Sequence, residues 1–502
     1  MSSNAIAFDG HDIAPETRDF LSGSHKLLID GDWVDGSGEI ETRDPATGLS
    51  LAKVASGGKA EIDRAVAAAR RAFDGPWGRM SAADRTALLH KLARLMDKDA
   101  TLLTQLDIVD NGMPVFIGGL TVANCVEMVD YYAGAILRVQ GRTMVPPRHI
   151  AAMGEALTYT LREAVGVVGH IVPWNVPLST AILKLAPALA AGCTIVVKPS
   201  EETPLSILAL GRMILEAGFP EGVVNIVNGT GAEAGAALAE HPGVDKISFT
   251  GSTATGRKIV QAALGNMKKV SLELGGKSPV VVMPDADLAQ AIPGVALATF
   301  FLQGQNCMAG TRVFVHEAIH DALMDGLAAF SSGMTLGHGL DPMTQQGPMI
   351  SDAHTAKVMR YIDGAAAEGA TLVTGGKRLD RPGNFIQPTI FTDTTPGMAV
   401  QREEIFGPVM AVQRFATDDL DAIAALANDT PYGLSGSVWT RDLSTAHRLV
   451  KRIRAGHVSV NTHGAVGTNV PFGGYGESGW GREFGEEGLD AYLETKAVTV
   501  VL

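Results

Sequence analysis

From residue 165 the chain alternates short β-branched runs with helical segments, and this alternation constrains its fold more than any other feature. GVVGHIVP reads as a strand, 178–191 as a helix stopped by Gly192, and CTIVVKP as a second strand ended by proline. A helix at 204–217, the strand VVNIVNG, a helix at 232–240, the strand DKISFTGS, the helix TATGRKIVQAAL and the strand KKVSLELGG follow. Strands separated by helices of about 10 to 15 residues make βαβ units and a parallel sheet. SPVVVM at 278–283 opens a second series, which runs through 284–305, 311–316, 317–330, 353–368 and 371–374 to about residue 490. The expected fold class is α/β, with two consecutive parallel-sheet domains.

The flanks read differently. KLLIDGDWV at 26–34 is a hairpin around Asp30-Gly31. Residues 59–74 and 82–106 carry helical periodicity. Residues 143–163 alternate weakly around a Pro-Pro pair and suggest an extended excursion, and the β-branched tail LETKAVTVVL has no partner nearby in sequence. The tail's partner is either that excursion or another subunit. The first 25 or so residues match no pattern and are expected to be a loose arm.

Composition excludes several function classes. The formal net charge is −13, the wrong sign for a nucleic-acid-binding face. The most apolar region, 165–197, is broken by His170, Pro173, Asn175, Pro177, Lys184 and Pro187, so no membrane span is expected. The N-terminus has no basic region followed by an apolar one, as a signal peptide would. Cys125, Cys193 and Cys307 are far apart, with no zinc-type spacing, so no metal is expected. They also make a poor disulfide framework, which fits a reducing, cytoplasmic setting.

In open parallel sheets, ligands sit outside the carboxyl ends of the strands. Here those ends carry Trp174-Asn175, Lys198 with Glu201, Thr250-Gly251-Ser252 before a helix, and Glu273 before two glycines. That set describes a nucleotide pocket. The Gly251-Ser252 helix start offers free N–H groups to phosphate, although the same pattern also serves as a plain cap. Neither standard phosphate motif is complete. GSTATGRK at 251–258 has Arg257 where a P-loop needs lysine, and Gly229, Gly231 and Gly235 are spaced one residue too far for GxGxxG. Glu201 is suited to accept bonds from ribose hydroxyls and repel a 2′-phosphate, with Lys198 beside it; the alternative is a solvated ion pair.

Cys307 stands apart from the other cysteines. It follows Gly304, Gln305 and Asn306, whereas Cys125 and Cys193 sit in apolar contexts typical of buried thiols. A glycine allows close approach of a ligand to the backbone. Glu273 beside its glycines can serve as a general base, and Asn175 as an amide donor to an oxyanion. A thiol, a base, an amide and a nucleotide pocket together suggest hydride transfer followed by acyl release.

Seven motifs, in order, identify the chain as a member of the aldehyde dehydrogenase superfamily. They are PWN at 173–175, KPSE at 198–201, FTGSTATG at 249–256, LELGGKSP at 272–279, GQNCMAGTR at 304–312, EEIFGPV at 403–409 and PFGGYGESGWGRE at 471–483. The resemblance implies a Rossmann-like cofactor domain from 1–142 and 164–275, a catalytic domain from 276–490, and a small β oligomerisation flap from 143–163 and 491–502. Members are usually homodimers or homotetramers. The implied chemistry has Cys307 attack an aldehyde, with Asn175 and the Cys307 N–H holding the oxyanion, and Glu273 activating water to release the acid. Lys184 and Glu483 match a proposed proton relay. Trp174, Lys198, Glu201, Gly251 and Ser252 match cofactor contacts, joined by Glu404 and Phe406 from the second domain. Glu201 favours NAD over NADP.

The resemblance also bears on substrate and acceptor. The CoA-acylating branch generally lacks the base that Glu273 supplies, so water is the expected acceptor; a CoA-acylating enzyme and a non-catalytic cofactor-binding homologue are the competing readings. His354 departs from the glutamine many relatives use at a ribose contact. The aldehyde tunnel would be lined by Val176, Ser179, Thr180, Leu183, Phe301, Asn306, Met308, Val466 and Phe472. Val176, Leu183 and Val466 replace bulkier aromatics of several relatives, which points to a bulky, aromatic or long-chain aldehyde.

Overall fold

A computed structural model describes Phe8 and residues 10–502. Two large sheets organise it. The first has eight strands, in the spatial order Gly479–Trp480, Lys269–Glu273, Lys246–Thr250, Val167–Ile171, Thr194–Lys198, Val224–Ile226, Leu27–Ile29 and Asp32–Val34. The five inner strands from Lys269–Glu273 to Val224–Ile226 run parallel, and the flanking hairpin and Gly479–Trp480 are antiparallel. Numbered along the chain, the parallel strands lie in the order 3-2-1-4-5. The chain therefore reverses its direction of winding beside Val167–Ile171, and a crevice opens there at the carboxyl ends.

The second sheet has seven strands, from Thr371–Thr374 at one edge to His457–Val460 at the other. All pairs but the Thr371–Thr374 edge are parallel. Strand Pro279–Val282 shows why its sequence is continuously apolar. Val280 and Val282 enter one core and Val281 the other, because successive side chains point to opposite faces.

The tail strand Leu493–Val501 pairs antiparallel along its full length with Ala156–Ala164, and Thr143–Met144 joins on the far side. Of the two partners open to the tail, the excursion is the one seen. A second hairpin, Gly38–Arg43 with Ser50–Ser56, had no clear signal in the sequence. The loose arm is corrected over its described part. Pro15–Leu21 is a helix with Phe20 and Leu21 buried, and the Ala14 N–H and Thr17 hydroxyl both donate to Gln105 Oε1 at 2.8 Å. Residues 1–7 and 9 lie outside the described residues. Among the described residues no helix is long and apolar enough to cross a membrane.

Candidate active site

The loop that carries Cys307 follows helix Leu288–Phe300. Leu302, Gln303 and Gly304 adopt positive φ in succession (53°, 60° and 68°), which turns the chain sharply back. For the two non-glycine residues this costs about 1–3 kcal/mol each, so the surroundings must hold it. They do so through the amides. Gln303 Nε2 donates to the carbonyls of Gly112 (3.2 Å) and Pro348 (3.3 Å), and Gln305 Oε1 accepts from the Ile350 N–H (2.9 Å). The amides flanking the glycine therefore clamp the loop, leaving the half-buried Cys307 facing the crevice.

Asn175 closes the other side. Its Nδ2 donates to the Gln305 carbonyl at 2.9 Å, which uses one of its two hydrogens and fixes the direction of the other. The turn that presents it is held by Asn111, whose Nδ2 donates to the carbonyls of Trp174 (2.7 Å) and Asn175 (3.0 Å). The sequence reading missed Asn111; its signal was a helix-ending Asn-Gly, since Gly112 takes φ +88°.

Glu273 ends its strand beside Thr250. The two glycines after it permit close approach of the second sheet's loops. A Cβ at Gly275 would lie 2.2 Å from Glu404 Oε2, and one at Gly276 would lie 2.4 Å from the Cys307 carbonyl. Glu404 Oε1 accepts from the Gly276 N–H at 3.1 Å, linking the two sheets' loops.

Eight of the twelve sequence-selected residues line one cavity of about 220 Å³: Cys307, Glu273, Asn175, Trp174, Gly251, Ser252, Glu404 and Phe406. Thr250, His354 and Lys357 line it too. Thr250 ends one of the strands expected to face the pocket, whereas Lys357 was not foreseen, although it lies three residues after His354 on helix Asp352–Ala367 and so shares its face. Ser252 is also a cap, as the plainer reading held, with its Oγ accepting from the Thr255 N–H at 3.3 Å. His354 donates from Nε2 to the Phe406 carbonyl (2.6 Å) and packs edge-on against Trp174 (5.3 Å between ring centres). Burial pushes its imidazole down to about 4, so it is neutral.

The other four residues form two ion pairs. Lys198 Nζ meets Glu201 Oε2 at 2.8 Å, and Glu201 Oε1 accepts from the Gly231 N–H at 3.2 Å. Burial works against the Glu201 charge, but Lys198 and the backbone donors outweigh it and hold the carboxyl below its usual range. Lys184 Nζ, fully buried, donates to Glu483 Oε1 (2.5 Å) and Ser248 Oγ (3.0 Å). Replacing Lys184 with methionine removes the cationic partner of the buried Glu483 carboxyl. The expected loss is about 3–5 kcal/mol of folding stability, read by urea unfolding.

Burial, with neighbouring charges, opposes ionisation at Glu273 and Cys307. Both Glu273 oxygens are buried without a hydrogen-bond partner among the described residues. Burial, then the nearby Glu483, pushes its carboxyl well above the ordinary range, against the pull of Lys184 and Arg482. Burial, then Glu404 and Glu273, pushes the Cys307 thiol up to about 12.

Residues 33–498 match the model of the aldehyde dehydrogenase family. The chain belongs to that family. The human mitochondrial aldehyde dehydrogenase is 44% identical over 483 residues, spanning 95% of this chain and 92% of that protein. An aldehyde dehydrogenase from Enchytraeus buchholzi is 45% identical over 483 residues, 95% of each chain. Among solved structures, an NAD+ complex of aldehyde dehydrogenase from Bacillus cereus superposes with a TM-score of 0.95 at 42% identity, covering 98% of this chain and 99% of that one. Family membership at this identity, over 95% of the chain, agrees with the two-sheet α/β fold and the crevice between the sheets' loops.

Proposed function

We propose that this aldehyde dehydrogenase oxidises a bulky, aromatic or long-chain aldehyde to its carboxylic acid, with NAD as oxidant and water as acyl acceptor. The observation that carries the reading is the meeting of a thiol, a carboxylate and an amide donor in one cleft at the switch point of a 3-2-1-4-5 sheet. The residues present fit the dinucleotide. The N-terminus of helix Thr253–Ala263 opens on the cleft to receive phosphate, and Glu201 is fixed as an acceptor for ribose hydroxyls. When bound, NAD accepts the hydride.

Cys307 gives its thiol proton to water, its Sγ attacks the aldehyde carbon, and the carbonyl π pair moves onto oxygen to form a thiohemiacetal. The second Asn175 hydrogen and the Cys307 N–H receive the oxyanion. After loss of hydride, the acyl group remains on Cys307 as a thioester. Glu273 takes a proton from water, which attacks the thioester and frees the acid. In this reading Glu483 and Lys184, a buried pair near Glu273, pass that proton on.

Val176 and Phe301 pack at the edge of an apolar cluster with Ile117 and Leu302, which supports an apolar tunnel wall. The exposed apolar side chains Leu157, Leu161, Val145 and Val501 on the three-stranded flap supply surface for a homodimer or homotetramer. Three free cysteines, two of them buried, support a cytoplasmic setting.

The test is NAD reduction by the purified protein across small aliphatic, long aliphatic, aromatic and acidic aldehydes. Preference for the aromatic or long-chain members is expected. Far better turnover of an acidic or phosphorylated aldehyde would overturn the tunnel reading, and a thioester product with added CoA would overturn the hydrolytic one.

A further inference from the structure

Cys307 is followed by Met308, and the backbone there is tied to a residue given no role so far. His463 Nε2 lies 2.7 Å from the Met308 carbonyl, and its Nδ1 lies 2.9 Å from Ser437 Oγ on the inner strand Ser435–Trp439. A carbonyl only accepts, so Nε2 carries the hydrogen and Nδ1 accepts from the Ser437 hydroxyl. Burial pushes the imidazole down to about 4, which keeps the ring in this neutral form. Gly310 leaves the ring its space, since a Cβ there would come within 3.1 Å of His463 Cε1. A Cβ at Gly464, the next residue, would lie 3.7 Å from the Met308 methyl.

We propose that His463 is a positioning residue for the nucleophile, locking the backbone after Cys307 to the second sheet and aiming its thiol and N–H at one point. The argument is mechanical. Upstream, the loop is held by the Gln303 and Gln305 amides against two strained left-handed residues. Downstream, Met308 O has His463 as its side-chain partner. With that bond cut, the Met308 carbonyl loses its tie to strand Ser435–Trp439, and the peptide that follows Cys307 loses its anchor. His463 also joins the tunnel loop that carries Val466 to the nucleophile loop, so the tunnel wall and the reacting atom are placed together. The inference rests on Cys307 being the nucleophile.

The test compares His463→Gln, whose amide reaches like Nε2, with His463→Asn, whose shorter amide reaches like Nδ1, and with His463→Phe. Two rates are read: the first-turnover burst of NADH, and alkylation of Cys307 by iodoacetamide, located by mass spectrometry. Asn and Phe are expected to slow both about 10- to 100-fold, as sub-ångström misplacement does, while Gln stays within about threefold and the KM for NAD holds. Equal behaviour of Gln and Asn, whether both match the wild type or both are impaired, overturns the proposal. If the Phe variant does not fold, the two amide variants decide alone. If the wild type yields no NADH from any aldehyde, the dehydrogenase reading fails, and the alkylation rates still judge the positioning.

Discussion

Replacing Cys307 with alanine is expected to abolish aldehyde oxidation, by at least about 10⁴-fold, while NAD still binds with unchanged affinity. The loss is that large because no other group can make the bond. Cys125 and Cys193 are fully buried, and burial raises both their thiols. The substitution should leave the fold intact, since the loop is clamped by Gln303, Gln305 and Asn175 rather than by the sulfur. Stopped-flow NADH absorbance and titration calorimetry with NAD separate chemistry from binding. Residual turnover within about 100-fold of the wild type would remove Cys307 from the mechanism.

Replacing Glu273 with glutamine is expected to split the reaction in two. The amide keeps the shape of the side chain but cannot take a proton from water, so steady-state turnover should fall about 10²- to 10⁴-fold. The first turnover should survive. Glu273 is one of the carboxylates that push the Cys307 thiol up, and its neutralisation eases ionisation of the sulfur. The result is one equivalent of NADH per active site followed by a slow phase, with the acyl group held on Cys307 and visible by intact-protein mass spectrometry. A burst no larger than in the wild type, with no trapped acyl group, would point to a different base.

The pH dependence follows from the same environment. In the proposed mechanism Glu273 works as the carboxylate, and burial with Glu483 raises its pKa. Hydrolysis should therefore be slow at low pH, climb as pH rises through that raised value, and level off above it. In Glu273→Gln this limb of the profile should vanish.

Local chemistry made much of the molecule legible beforehand. The βαβ series, the strand ends that carry Trp174-Asn175 and Gly251-Ser252, and the helix stop at Gly192 all depend on contacts within a few residues. What escaped was set by partners distant in sequence. The hairpin at Gly38–Arg43 has only a weak alternating pattern of its own. The N-terminal helix Pro15–Leu21 is held by Gln105, about ninety residues away. Asn111 and His463 look like a helix end and a loop residue until the fold sets them against the carbonyls of Asn175 and Met308.

The sequence by itself determined the fold class, the crevice-facing strand ends and the contrast between Cys307, which lines the cavity, and the two buried cysteines, because side-chain type and spacing act locally. Only the tertiary structure decided the electrostatics and aim of the site. The raised Cys307 and Glu273 groups arise from burial and from Glu404 and Glu483, carboxylates more than ninety residues away in sequence. The left-handed turn at Leu302 and Gln303, locally unfavourable for both residues, exists because Gly112, Pro348 and Ile350 are folded against it and hold its amides.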